Sequence, residues 1–263
     1  KDEFEQLKQK SEDKKISRED IINFKVGSKR ILITQDDINR LREGSTHIPL
    51  DKIWIFDESV TDLNNLAQYL SVYNVNIPWE QIGVKGWNVD KVTNMSAMFY
   101  KATTFNQDIS DWNVANVTNM GGMFMGAKAF NQDIGGWNVE KVTSMGWMFS
   151  GATAFNQNIS NWTVSLNTKV TGMFQAPLNE LIKYSLANWY NDQKINEHNL
   201  HKLFGSADNF NKYKNEIQNI RAIFKFANLS NNNKVKMLNE QYTIPPNGKD
   251  INKGTFETTN PNN

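Results

Sequence analysis

Three histidines, His47, His198 and His201, are the first place to look for chemistry. His198 and His201 stand three residues apart in the run NEHNLHK beside Glu197, a spacing that on a helix brings two imidazoles onto one face. Two such groups could begin a zinc site, but a third ligand at metal spacing and the zinc-protease pattern are both missing. The expected reading is a surface pair, with no metal. Asp108 and Asp133 hold matching places 25 residues apart, and a carboxylate row of that kind could take up Ca2+. Asn158 replaces the third member, and the glycine-rich calcium-repeat spacing is absent. The run FKVGSKR has neither the glycines nor the length of a phosphate loop, no Gly-x-Ser-x-Gly elbow occurs, and scattered carboxylates assign no glycosidase pair. The chain has no cysteine, which excludes disulfides, thiolate ligands and cysteine nucleophiles together. The expectation is a protein that is not an enzyme and uses no cofactor.

Binding is better provided for, and the elements that must position it are repeated. WNVDKVTNMSAMFYKATTFNQDIS begins at Trp87, and close copies begin at Trp112 and Trp137. A shorter one begins at Trp162. Columns of Trp, Val, Met, Phe and Ile keep the same 25-residue register: Met98, Met123, Met148 and Met173, for example, and Phe105, Phe130 and Phe155. One unit cannot bury its apolar face alone, whereas neighbouring units can share a core. Within a unit, apolar residues at i, i+3 and i+4 in TNMSAMF predict a short helical turn, and ISDWNV predicts a short strand. The fold expected is an α/β repeat, a short leucine-rich-repeat-like solenoid with helical N- and C-terminal flanks.

Four segments follow. Residues 1–53 are expected to form a mostly helical N-terminal cap, in which Thr34 and Gly44 bracket one short helix. Residues 54–174 form the repeats, with a degenerate first unit over 54–86. Residues 175–246 form a C-terminal helical region with two apolar stripes, Leu178 to Trp189 and Phe210 to Phe224. Residues 247–263, rich in Asn, Pro and Gly, form a loosely ordered tail.

If Trp112 and Val114 point inward along a strand, alternation sends their neighbours to an open concave face. Candidate binding residues there are Asn88, Asp90, Asp111, Asn113, Asn138, Glu140 and Thr163. Asn106, Asn131 and Asn156, each followed by Gln, read instead as a ladder of stacked amides that satisfies backbone groups at a turn. Trp147 is the last candidate, because the matching positions carry Ala97 and Gly122. Its indole either anchors a partner or packs beneath the C-terminal helices.

The balance of 29 Lys and Arg against 28 Asp and Glu makes no field that would draw nucleic acid or anionic lipid. No apolar run approaches the roughly 18 to 20 residues of a membrane span, and the first 15 residues lack the apolar middle of a signal peptide. A soluble chain is expected, one already trimmed of any targeting segment.

The phrase W-N-V-x-x-V-T-x-M-x-x-M-F followed by F-N-Q-D-I, over about residues 87–174, resembles the repeat of mycoplasma surface lipoproteins that is grouped with BspA-like leucine-rich repeats. That resemblance implies an exported, lipid-anchored protein on the extracellular face of a wall-less cell. It implies adhesion or interaction with a host or envelope protein, peptide or glycan, and brings no catalytic residues. Membrane attachment would come only through a lipid anchor that this chain lacks. The alternative function is an envelope scaffold that makes its contacts through the helical flanks, and a remote one is a hydrolase.

Overall fold

The computed structural model describes residues 29–45, 48–73, 76–174, 178–192, 196 and 201–227. The expected tail, His47, Glu197 and His198 lie outside the described residues. Strand β1, Arg30–Ile33, leads into helix α1, Gln35–Arg42, and returns as β2, Ile53–Phe56, paired in parallel with Arg30 opposite Ile53. Thr34 starts α1 as predicted: its hydroxyl accepts from Asp37 N at 3.1 Å, and its own N–H donates to Asp37 Oδ2 at 3.0 Å. Gly44, with φ of 68°, ends it. Helix α2, Leu66–Tyr73, and a 3-10 turn at Val84–Gly86 precede the repeats, while α3, Glu180–Asn191, and α4, Ala207–Ala227, follow them. Both C-terminal helices coincide with the apolar stripes, and Ile182, Leu186, Trp189, Phe210, Tyr213 and Ile217 are buried.

The repeats do not form the predicted leucine-rich-repeat-like solenoid. The described residues hold one two-stranded parallel sheet, and residues 87–174 contain neither a regular strand nor a helix. The architecture is mixed α/β. Neighbouring units meet through isolated parallel bridges, Asp62 with Asn94, Asn94 with Asn119, Asn119 with Ser144, and Ser144 with Lys169.

The backbone shows why. Met98 N and Tyr100 N donate within their own unit, to Met95 O and Ala97 O, whereas Phe99 N and Lys101 N donate to the next unit, at Met123 O and Met125 O. Alternate N–H groups thus serve a turn and a neighbour. A helix needs successive bonds to residue i−4, and a strand needs an unbroken extended run, so neither develops. Left-handed residues at Ala97, Lys101, Gly122, Gly126, Trp147 and Gly151 interrupt both. The i, i+3, i+4 spacing of Met95, Met98 and Phe99 therefore reflects consecutive turns. The supposed strand ends in another, where Val92 N donates to Val89 O.

The core columns close as the periodicity demands. Indole rings stack at 5.6 Å for Trp54 and Trp87, 6.2 Å for Trp87 and Trp112, and 6.5 Å for Trp112 and Trp137. Trp189 of α3 stacks on Trp162 at 6.4 Å, so the helix continues the column. Each indole is also a donor: Trp137 Nε1 reaches Ile109 O at 3.1 Å, Trp162 Nε1 reaches Ile134 O at 2.9 Å, and Trp189 Nε1 reaches Ile159 O at 3.1 Å. A buried N–H left unpaired would cost about 1–3 kcal/mol, so this tie lets an indole fill a place that a purely apolar side chain could otherwise hold. Phe99, Phe124, Phe149 and Phe174 form a second column at 5.6–5.8 Å.

Candidate binding surface

Asn88, Asp90, Asp111, Asn113, Asn138, Glu140 and Thr163 are all exposed, alternating with buried Trp and Val columns. They do not line a sheet face, since no strand carries them. The asparagines serve the turns: Asn88 Oδ1 accepts from Asp90 N at 3.0 Å, Asn113 Oδ1 from Ala115 N at 3.3 Å, and Asn138 Oδ1 from Glu140 N at 3.1 Å. Their recurrence is explained by this local bond.

The amide ladder lies where its spacing predicts. Asn106 Oδ1 accepts from Asn131 N at 2.9 Å, Asn131 Oδ1 from Asn156 N at 2.8 Å, and Asn156 Oδ1 from Leu181 N at 3.1 Å, at the start of α3. Gln132 and Gln157 Nε2 donate back to Asn106 O and Asn131 O, each at 2.8 Å.

The carboxylate row is occupied by protein groups. Asp108 Oδ2 lies 2.6 Å from Lys85 Nζ, and its Oδ1 accepts from the Ser110 hydroxyl at 2.7 Å. The hydrogen bond from Lys85, then those from Ser110, hold the Asp108 carboxyl well below the usual carboxylate range. Asp133 and Asn158 cap turns through Gly135 N and Ser160 N. His201 is exposed with its ring 5.0 Å from that of Phe210. Among the described residues no group of three His, Cys, Asp or Glu side chains could hold a metal ion. The void where the last unit meets α3, lined by Phe149, Phe155, Phe174 and Ile182 among others, measures about 10 Å³, room for roughly one water.

Trp147 stands apart. It is 47% exposed, while the other seven tryptophans are buried. Its φ is 54°, in the left-handed region, where the matching residues are Ala97, Gly122 and Gly172. A bulky residue there costs about 1–2 kcal/mol that glycine does not incur. Its N–H donates to Thr171 O at 2.9 Å in the next unit, which keeps the backbone in the ladder although the side chain leaves the core. The strain was not legible in the sequence, although a glycine in the neighbouring unit was a signal that could have suggested it.

Residues 61–189 match the model of a family described as a Mycoplasma protein of unknown function, DUF285. That region is just under half of the chain, and its limits fall on structural landmarks: Thr61, whose carbonyl begins the backbone ladder, and Trp189, the last stacked indole. The match supports the mycoplasma-type family that the repeat phrase resembles and lends nothing to its leucine-rich-repeat part. No curated protein and no solved structure matches the chain. The amide ladder and the Trp147 turn lie wholly within the matched residues, whereas the indole column begins before them, at Trp54. No described helix is long and apolar enough to cross a membrane.

Proposed function

We propose that the DUF285 region is a non-enzymatic binding module, displayed by a lipoprotein on the outer face of the cell and used in adhesion to a host component. One observation carries this reading: the only exposed indole among eight sits on strained backbone, at a place where glycine would serve the fold better. Strain of that kind persists where something other than folding retains it. The exposed positions Asp90, Glu140 and Thr163 vary from unit to unit beside repeated core columns, which suits a surface that meets another molecule.

The test is attachment of fluorescently labelled protein to cultured epithelial cells, with Trp147→Gly as the variant. Glycine accepts the backbone geometry, so the fold survives while the anchor is removed. Loss of most attachment is expected. Equal attachment by both proteins would dismiss Trp147 as the anchor, and failure of both to attach would dismiss the adhesive role.

A further inference from the structure

We propose that Trp147, Asn119 and Ser144 form a carbohydrate subsite that takes the pyranose ring of a glycan; this rests on the binding-module reading above and names its ligand class. The argument begins with room. Gly122 holds the place of Trp147 one unit earlier, and a Cβ built on it meets only Met125 Cβ, at 3.9 Å. The absence of a side chain there opens the space on that side of the Trp147 turn. The neighbouring floor is also glycine: a Cβ on Gly121 would lie 3.3 Å from Asn119 Oδ1 and 3.3 Å from Ser144 Oγ. Those two polar side chains therefore border the open floor.

Their bonding is incomplete. Asn119 Oδ1 accepts from Gly121 N at 3.0 Å, but Asn119 Nδ2 and Ser144 Oγ have no hydrogen-bond partner among the described residues. In the preceding unit Ser96 stands in the place of Gly121, where its Oγ donates to Asn94 Oδ1 at 2.7 Å and accepts from Asn64 Nδ2 at 2.6 Å, so the floor that glycine leaves open at Gly121 is closed there by a hydroxyl. Both residues are half-buried, and neither open group is sealed from solvent. Ser144, three residues before the exposed indole in the chain, bridges to Asn119 of the adjoining unit, so one amide donor and one hydroxyl without a partner among the described residues belong to this turn.

That combination selects the ligand class. The C–H face of a pyranose stacks on an aromatic ring, and its hydroxyls both donate and accept, so it satisfies an amide and a hydroxyl together. An aromatic peptide side chain would cover Asn119 and Ser144 while leaving them unpaired, which is unfavourable. The matching columns, Asn94 to Lys169, Ser96 to Thr171 and Ala97 to Gly172, contain no carboxylate, and Lys169 at the end of the first is exposed. Neutral and acidic pyranoses share the stacking chemistry, and the experiment separates them.

The full chain would be tested by saturation-transfer difference NMR against methyl glycosides of glucose, galactose and N-acetylglucosamine, a methyl glucuronide, and N-acetyltryptophan amide as the aromatic competitor. Saturation of ring C–H protons in a neutral glycoside is expected. It should fall at least about tenfold in Trp147→Gly and roughly three- to tenfold in Ser144→Ala or Asn119→Asp, the last of which keeps the acceptor for Gly121 N. Saturation of the glucuronide alone would also support the subsite and add the Lys169 cation to it. No saturation of any glycoside, saturation that Trp147→Gly leaves unchanged, or saturation of the tryptophan amide alone would overturn it. If cell attachment depends on Trp147 but excess glycoside does not inhibit it, the carbohydrate assignment fails while the binding module stands.

Discussion

Gln35 Oε1 stands to Thr61 and Asp62 as the Thr61 carbonyl stands to Thr93 and Asn94. It accepts from Thr61 N and Asp62 N, each at 2.9 Å, and the Thr61 carbonyl accepts from the next unit at 2.8 and 3.3 Å. Arg42 Nη2 completes the imitation, donating to Asp62 O at 2.9 Å while it pairs with Asp62 Oδ1 at 2.8 Å. Two side chains of α1 thus supply an acceptor and a donor where a preceding unit would supply backbone. An end unit must close its ladder or leave polar groups unpaired.

Gln35→Ala should accordingly lower the unfolding free energy by about 1–2 kcal/mol, because it strips the acceptor from two N–H groups, of which that of Asp62 is partly shielded from water. Urea denaturation measures this. A change indistinguishable from zero would mean that water replaces Gln35 without cost and that α1 is not the cap.

Gly135 is the tightest place in the stack. A Cβ there would lie 2.4 Å from the Asn158 carbonyl oxygen, a distance that forces backbone to move, whereas a Cβ on Gly136 meets nothing within 4 Å. Gly135→Ala should cost about 1–3 kcal/mol and Gly136→Ala within about 0.5 kcal/mol. The pair is compared by thermal and urea unfolding, and similar losses would contradict the close approach of the two units.

The bond between Lys85 and Asp108 predicts a pH dependence whose sign is fixed. Asp108 is held below its ordinary pKa in the fold, so its contribution is present above the usual carboxylate range, near 4, and fades as the pH falls below it. The same hydrogen bond raises Lys85, whose contribution is present below the ordinary lysine pKa and fades as the pH rises through the raised value. Asp108→Asn keeps the turn, as Asn158 does with Ser160 N at 3.0 Å, but loses the charge. The stability gap between wild type and this variant should narrow as the pH is lowered from 6 towards 3, in stability curves measured at each pH. Both groups are solvent-exposed, so the gap is small and shrinks with added salt.

Trp147→Gly should raise stability by up to about 1 kcal/mol, since relief of the left-handed strain outweighs the added freedom of glycine in the unfolded chain. Gly122→Trp should have the opposite sign, because φ is 62° there. Destabilisation by Trp147→Gly in chemical denaturation would show that the indole contributes to folding and would remove the reason for calling it functional.

What the sequence made legible were the features that recur. The core columns follow from the fixed 25-residue interval, and the Asn106, Asn131 and Asn156 ladder follows from it too, since a repeated amide at a turn can bond to the neighbouring copy. Helix α1 was readable from Thr34 and Gly44, and the C-terminal helices from their stripes. The unit's inner conformation was not. Met95, Met98 and Phe99 have helical spacing, yet their N–H groups alternate between turn and neighbour, and only the next unit's carbonyls decide that. The cap at Gln35 was equally hidden, because a glutamine in the first turn of a helix carries no local sign that it replaces a peptide carbonyl. In the candidate surface, exposure of the seven polar residues was readable from alternation, whereas the turn bonds of Asn88, Asn113 and Asn138 depend on backbone bends that alternation does not reveal.

Iodide quenching of tryptophan fluorescence tests the central claim most directly: seven indoles are sealed in the stack and its ends, and Trp147 alone meets solvent. Wild type should show one quenchable class above a protected majority, and Trp147→Phe should abolish that class while the protected emission remains. If the quenchable fraction survives in Trp147→Phe, water reaches the stacked indoles and the repeated columns are not the core.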